Sequence, residues 1–197
     1  MKRLLGNLLL VLFVLTTIGC TQEPHEFGGL VFETPNPVAN FTLTAANNQP
    51  VNLSDYAGKY VFIYFGYTFC PDVCPTTLSK LAAVQEDLGD EGDQMQVLMI
   101  SVDPERDTPE HLADYVGHFD DSFVGITGSP EEIDAAGKPF GLYYAKHEGT
   151  AESGYLVDHT ARTFLLNPKG EVIVAYPHDA TKEAILADMQ ELLEGGG

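Results

Sequence analysis

Tyr60-Val61-Phe62-Ile63-Tyr64-Phe65 leads through Gly66-Tyr67-Thr68-Phe69 into Cys70-Pro71-Asp72-Val73-Cys74-Pro75 and then Thr76 to Leu88. The first six residues are an unbroken apolar run rich in aromatic and β-branched side chains, the pattern of a strand buried on both faces. After Pro75, Leu78, Leu81, Ala82 and Leu88 recur at helical spacing. The stretch therefore reads as strand, loop and helix, with two thiols in the loop. Each cysteine precedes a proline, which pushes it out of the α region. Cys74 is accordingly expected at the helix N-cap, with Pro75 at the first helical position, where a missing N–H costs nothing. The unpaired N–H groups and dipole at that helix start favour thiolate, which is both the nucleophile and the metal ligand. Phe65, Tyr67 and Phe69 are expected to wall the loop. Thiols so placed are set for redox or metal chemistry. The plain alternative is a structural pair or a small stabilising disulfide.

Working outward, residues 1–19 read as a leader: Lys2 and Arg3, an apolar stretch from Leu8 to Leu15, then small residues before Cys20. Gly19-Cys20 resembles a bacterial lipoprotein processing site, which makes Cys20 the lipidated residue. An uncleaved anchor and ordinary secretion are the alternatives, and each exports the domain. That leaves Cys70 and Cys74 as the only thiols of the exported part, too few for a disulfide scaffold. Residues 20–35, with Pro24, Gly28, Gly29 and Pro35, read as a flexible tether, and residues 36–195 as one domain.

Charge sets limits on partners. The 197-residue chain carries 10 Lys and Arg against 29 Asp and Glu, a net charge of −19. Such a surface repels phosphate backbones and anionic lipid, so neither nucleic acid nor a membrane surface is expected as a partner beyond the lipid anchor. The balance serves solubility, and it would also steer a cationic partner.

The rest of the chain alternates strands and helices. Residues 41–44 and 51–53 read as an N-terminal hairpin, and 96–101 as a second buried strand. Asp103-Pro104-Glu105-Arg106-Asp107 forms a loop, after which Thr108 and Pro109 cap a helix. Residues 123–126 make a short strand, Ser129 and Pro130 open another helix, and 142–145 are extended. Residues 146–154 are a polar excursion. Residues 162–166 and 171–176 form strands around an Asn-Pro-Lys-Gly turn, and 181–193 the last helix. The fold class is an α/β sandwich with a mixed central sheet and flanking helices. In such sheets, sites gather at the carboxyl ends of strands, where the Cys70 and Asp103 loops both lie.

His159 stands just before the 162–166 strand. In the common redox proteins of this architecture a cis-proline faces the thiols from that place, and here there is none. An imidazole there would meet two thiolates. This donor set suits Cu(I), whereas structural zinc wants four ligands. Cu(II) would seek a fourth donor from water or from Asp72, Asp103 or Asp158, and Asp158 would otherwise orient the imidazole. His25, His111, His118, His147 and His178 read as solvated. Met95, Met99 and Met189 read as packing. The Pro-x-x-x-Thr-x-x-Cys setting of thiol peroxidases is absent.

Gly66 to Pro75, Ile100-Ser101-Val102-Asp103-Pro104-Glu105-Arg106-Asp107-Thr108-Pro109 and Asp158-His159-Thr160, in that order, resemble the Sco (SenC/PrrC) copper proteins across residues 36–194. The resemblance implies a thioredoxin-like fold and one copper per monomer, Cu(I) or Cu(II), held by Cys70, Cys74 and His159, with Asp103 in support. It implies a metallochaperone that helps assemble the binuclear copper centre of cytochrome c oxidase, with the copper-accepting oxidase subunit as partner. Other copper chaperones or thioredoxin-like reductants would supply metal or electrons. The alternatives are a thiol–disulfide reductase, using Cys70 and Cys74 as a reversible redox pair to keep the oxidase cysteines reduced, and a redox sensor. The expected location is extracytoplasmic, on a bacterial membrane.

Overall fold

A computed structural model describes residues 25–149 and 154–195; the leader and Cys20 lie outside them. Ten strands are described: β1 (Leu30–Pro37), β2 (Thr42–Ala45), β3 (Gln49–Asn52), β4 (Tyr60–Gly66), β5 (Met95–Ser101), β6 (Val124–Ile126), β7 (Tyr144–Glu148), β8 (Tyr155–His159), β9 (Arg162–Leu166) and β10 (Glu171–Pro177). Four α-helices accompany them: α1 (Val73–Leu88), α2 (Pro109–Gly117), α3 (Pro130–Gly137) and α4 (Lys182–Gly195).

Six strands form one mixed sheet in the order β1-β10-β9-β4-β5-β6. β4, β5 and β6 are parallel, and β9 runs antiparallel to β4. β4 and β5 are buried along all seven residues each, as their continuous apolar runs require of parallel strands covered on both faces. The sheet, its helices and the small β2–β3 hairpin make the α/β, thioredoxin-like sandwich expected, and the hairpin is the N-terminal extension. Met95, Met99 and Met189 are core residues. No helix among the described residues is long and apolar enough to cross a membrane.

The structure corrects the reading in three places. Leu30–Pro37 is not tether but the edge strand of the main sheet, paired with β10 and shifting register between Val31 and Asn36. Its two prolines and the Gly28-Gly29 pair before it resemble a linker, yet an edge strand tolerates proline because one side of its backbone needs no partner. The polar stretch after Ala145 is not wholly a loop: β7 continues to Glu148 and pairs with β8 from Tyr144↔His159 to Glu148↔Tyr155. Cys74 is not the N-cap: α1 begins at Val73 with Asp72 before it, so Pro75 is the third helical residue. Proline is tolerated throughout the first turn, and that tolerance outweighs the pre-proline preference.

Candidate metal centre

The site sits at the carboxyl ends of β4 and β5. β4 ends at Gly66, and the chain turns through Tyr67 to Cys70, where the Cys70 N–H donates to the Tyr67 carbonyl at 3.3 Å. Gly66 has a local reason to be glycine. A Cβ there would lie 2.7 Å from Tyr64 Cε1 and 3.0 Å from Cys74 Sγ, so the bare backbone makes room for the sulfur.

Cys74 is fully buried and Cys70 partly exposed, and both are free thiols. They divide one proton. The hydrogen bond from Cys74 holds the Cys70 pKa at about 3, aided by His159 and by the backbone N–H groups of Asp72 and Cys74, against the cost of burial. The same hydrogen bond pushes the Cys74 thiol up, and burial and the Cys70 charge add to it. The helix start therefore favours thiolate at Cys70 but not at Cys74. Tyr64, a core residue in the sequence reading, also donates its hydroxyl to Cys74 Sγ at 3.3 Å. Burial, then the neighbouring Cys74 and Cys70 sulfurs, raise the tyrosine's own pKa, so it remains a donor.

His159 closes the third side. It is the last residue of β8, not part of the following loop, and its Nε2 lies 3.8 Å from Cys74 Sγ. Its Nδ1 faces the Thr160 carbonyl at 3.3 Å. A proton on Nε2 is the one donated toward the Cys70 thiolate, whereas a proton on Nδ1 is accepted by that carbonyl and leaves the Nε2 lone pair free for a metal. Tyr64 and Tyr67 stand edge-on to the imidazole, with centroids 6.1 and 5.9 Å away.

Two soft sulfurs and an imidazole suit a soft ion. Sulfur and nitrogen at about 2.3 and 2.0 Å from one ion, in tetrahedral to trigonal geometry, stand about 3.5–3.7 Å apart, and the Cys74–His159 spacing of 3.8 Å lies just beyond that range. Among the described residues, no three His, Cys, Asp or Glu side chains are grouped closely enough to hold a metal as they stand. The donors adjoin but do not yet enclose a common point.

The carboxylates lie elsewhere. Asp103 is fully buried, and its oxygens accept from Arg106 Nε at 2.5 Å and the Tyr155 hydroxyl at 2.6 Å. Asp158 does not orient the imidazole. Alternation along β8 turns it away from its neighbour, and its exposed carboxylate faces His147 Nδ1 at 3.3 Å. Asp72 is exposed before α1. Of the three aromatics expected to wall the loop, Tyr67 stands beside the imidazole, Phe65 is instead buried in the core against Phe140 and Phe164, and Phe69 is 51% exposed and leaves the outer side open.

Sequence reasoning missed a second carboxylate. Asp107, also fully buried, accepts from the Thr68 N–H at 3.1 Å, the Thr68 hydroxyl at 2.6 Å and the Ser101 hydroxyl at 2.6 Å. It ties the turn before Cys70 to the end of β5. His111, read as solvated, meets Thr68 Oγ1 through Nε2 at 3.0 Å. A charged residue flanked by prolines and a cap carries no sequence signal for these contacts.

Fold and site define a thioredoxin-like domain whose Cys-x-x-x-Cys loop faces a histidine from a neighbouring hairpin. The SCO1/SenC family pattern matches residues 33–194, and the chain belongs to that family. Over 147 residues it is 39% identical to the mitochondrial SCO1 homolog of Mus musculus, covering 74% of this chain and 52% of the mouse protein. The chain thus spans about half the length of that curated relative. The apo Sco1 structure from Thermus thermophilus superposes with a TM-score of 0.78 at 40% identity, over 87% of this chain and 99% of that one. Arabidopsis thaliana ScoI, solved with copper bound, gives 0.73 at 33% identity, over 80% and 98%.

Proposed function

We propose that this chain is a copper metallochaperone for cytochrome c oxidase assembly, taking one copper through Cys70, Cys74 and His159. The observation that carries the reading is the 3.8 Å approach of His159 Nε2 to Cys74 Sγ beside the Cys70 thiolate. A dithiol reductase has no need of that imidazole. The copper held by the Arabidopsis relative supports the choice of metal. Uptake draws the three donors round the ion, and release occurs by ligand exchange with the copper-accepting oxidase subunit through the open side near Phe69. Residues 1–19 act as a lipoprotein signal, and lipid on Cys20 holds the domain on the extracytoplasmic face of a bacterial membrane. Copper arrives from another copper chaperone.

A second reading has its own observation. A partly exposed Cys70 thiolate backed by a buried Cys74 thiol is the attacking and resolving pair of a thiol–disulfide reductase. Cys70 would attack an oxidised acceptor pair and form a mixed disulfide. Cys74 would then displace the acceptor thiol, leaving a Cys70–Cys74 disulfide and a reduced acceptor.

One experiment separates the two. The reduced protein, with and without Cu(I), is mixed with the copper-accepting oxidase subunit, and copper and thiols are counted on each. Copper passing to a reduced acceptor, and lost with His159→Ala, is the expected result. Reduction of an oxidised acceptor that persists in His159→Ala, with no copper passed, would replace the chaperone by the reductase.

A further inference from the structure

The thiols and the imidazole reach the site on separate pieces of structure. The thiols follow the central strand β4, whereas His159 ends a hairpin whose two strands pair only with each other. A two-stranded hairpin is marginal on its own. Val157 anchors it in the core, and something must fix the rest against the thiol loop.

Arg106 meets both pieces. Its Nε donates to Asp103 Oδ2 at 2.5 Å and its Nη1 to the Tyr155 carbonyl at 3.0 Å. Its guanidinium carbon lies 3.7 Å from the Tyr155 ring centroid and 4.6 Å from that of Phe69. Tyr155 begins the strand that His159 ends, and Phe69 precedes Cys70. Asp103 completes the clasp by accepting the Tyr155 hydroxyl at 2.6 Å. The Tyr67 ring stands between the two, 5.8 Å from the guanidinium carbon and 5.9 Å from the imidazole.

We infer that Arg106, held by Asp103 and stacked between Phe69 and Tyr155, is a positioning residue that sets His159 against the two thiols. Its planar fork does what a lysine cannot, since it stacks on two rings while donating from separate nitrogens. Arg106 touches no metal in this scheme and acts only through the hairpin. For its consequence in metal binding, the inference rests on the copper reading above.

The test begins on the reduced, metal-free full chain. Amide hydrogen exchange is followed in β8 and β4 for the wild type, Arg106→Ala and Arg106→Lys. Val157 and His159 are expected to exchange at least about tenfold faster in Arg106→Ala, less so in Arg106→Lys, with β4 unchanged. Equal acceleration in β4 and β8, or none in either variant, overturns the inference. Cu(II) affinity is then measured for Arg106→Ala in the wild-type and His159→Ala backgrounds. A loss in the first and no further loss in the second is expected, because a residue that acts through His159 has nothing to position once it is gone. Equal losses in both backgrounds overturn it. A wild-type chain that takes up no copper refutes the copper reading, while the exchange result still decides the clasp.

Discussion

The thiol half and the imidazole half of the site are built to different standards. The Cys70–Cys74 loop springs from a strand with every residue buried, and Cys74 is itself part of the core. The His159 hairpin has a single fully buried residue in its two strands, Val157 in β8, and none in β7. Beyond Val157 and the partly buried Tyr144 and Tyr155, its hold on the body includes the Arg106 clasp and the exposed Lys146–Glu105 pair at 2.6 Å. The thiols are therefore fixed by the same packing that makes the domain fold. The imidazole is held by Val157 two residues before it and by a few polar and stacking contacts, with far less core packing behind it. For the copper carrier proposed above, this would pair a firm set of soft donors with a third donor held less tightly.

That contrast is broken if damage to the thiol half is cheap. Phe65 is fully buried against Phe140 and Phe164, at centroid distances of 5.5 and 6.5 Å. Phe65→Ala is expected to cost about 3–5 kcal/mol in denaturant unfolding. A loss under 1 kcal/mol (about the least a core truncation costs) would mean that β4 is not the rigid base of the site.

On the imidazole side the effect moves from folding to binding. His159→Ala should lower Cu(II) affinity by more than the roughly 10–100-fold that follows loss of an outer-shell partner. It should change unfolding free energy by less than about 1 kcal/mol and leave Cys70 and Cys74 able to form a disulfide. A variant that unfolds readily would show the hairpin to be part of the core.

The thiol pair also gives a pH signature. Because the folded pKa of Cys70 is depressed, its stabilisation is complete above the unfolded thiol value of about 8.5 and drains away as pH falls toward about 3. Cys74 has its pKa raised, so its contribution is complete below the unfolded value and is lost above it. Urea midpoints of the reduced protein, relative to Cys70→Ser/Cys74→Ser, should rise from acid to about pH 8.5 and then fall. A flat difference would mean that the sulfurs do not share a proton.

The smallest effect is expected at Asp158. Its pair with His147 is exposed, so Asp158→Ala should cost at most about 1 kcal/mol and leave copper affinity unchanged. A fall in affinity comparable with that of His159→Ala would restore the carboxylate to the site.

The same contrast separates what the sequence revealed from what it hid. β4, α1 and β5 were legible because their apolar patterns are local and long. The Cys70, Cys74 and His159 set could be named from residue type and place in the fold order. The edge strand β1 was obscured because Gly28, Gly29, Pro35 and Pro37 mark linkers and edge strands alike. The end of β7 was obscured by its polar residues, which suit a hairpin with little core beneath it. Arg106 and Tyr155 are 49 positions apart, and nothing local to either foretells their stacking. Asp107 was hidden for the same reason: burying a carboxylate is costly unless donors are ready for it, and its donors come from two different elements.

The most direct test of the central claim is X-ray absorption at the copper edge of the copper-loaded chain and of His159→Ala. The account predicts two sulfur donors and one imidazole nitrogen in the wild type, with the nitrogen lost and both sulfurs kept in the variant. An unchanged nitrogen signal in His159→Ala, or a wild-type spectrum with one sulfur or none, would contradict it.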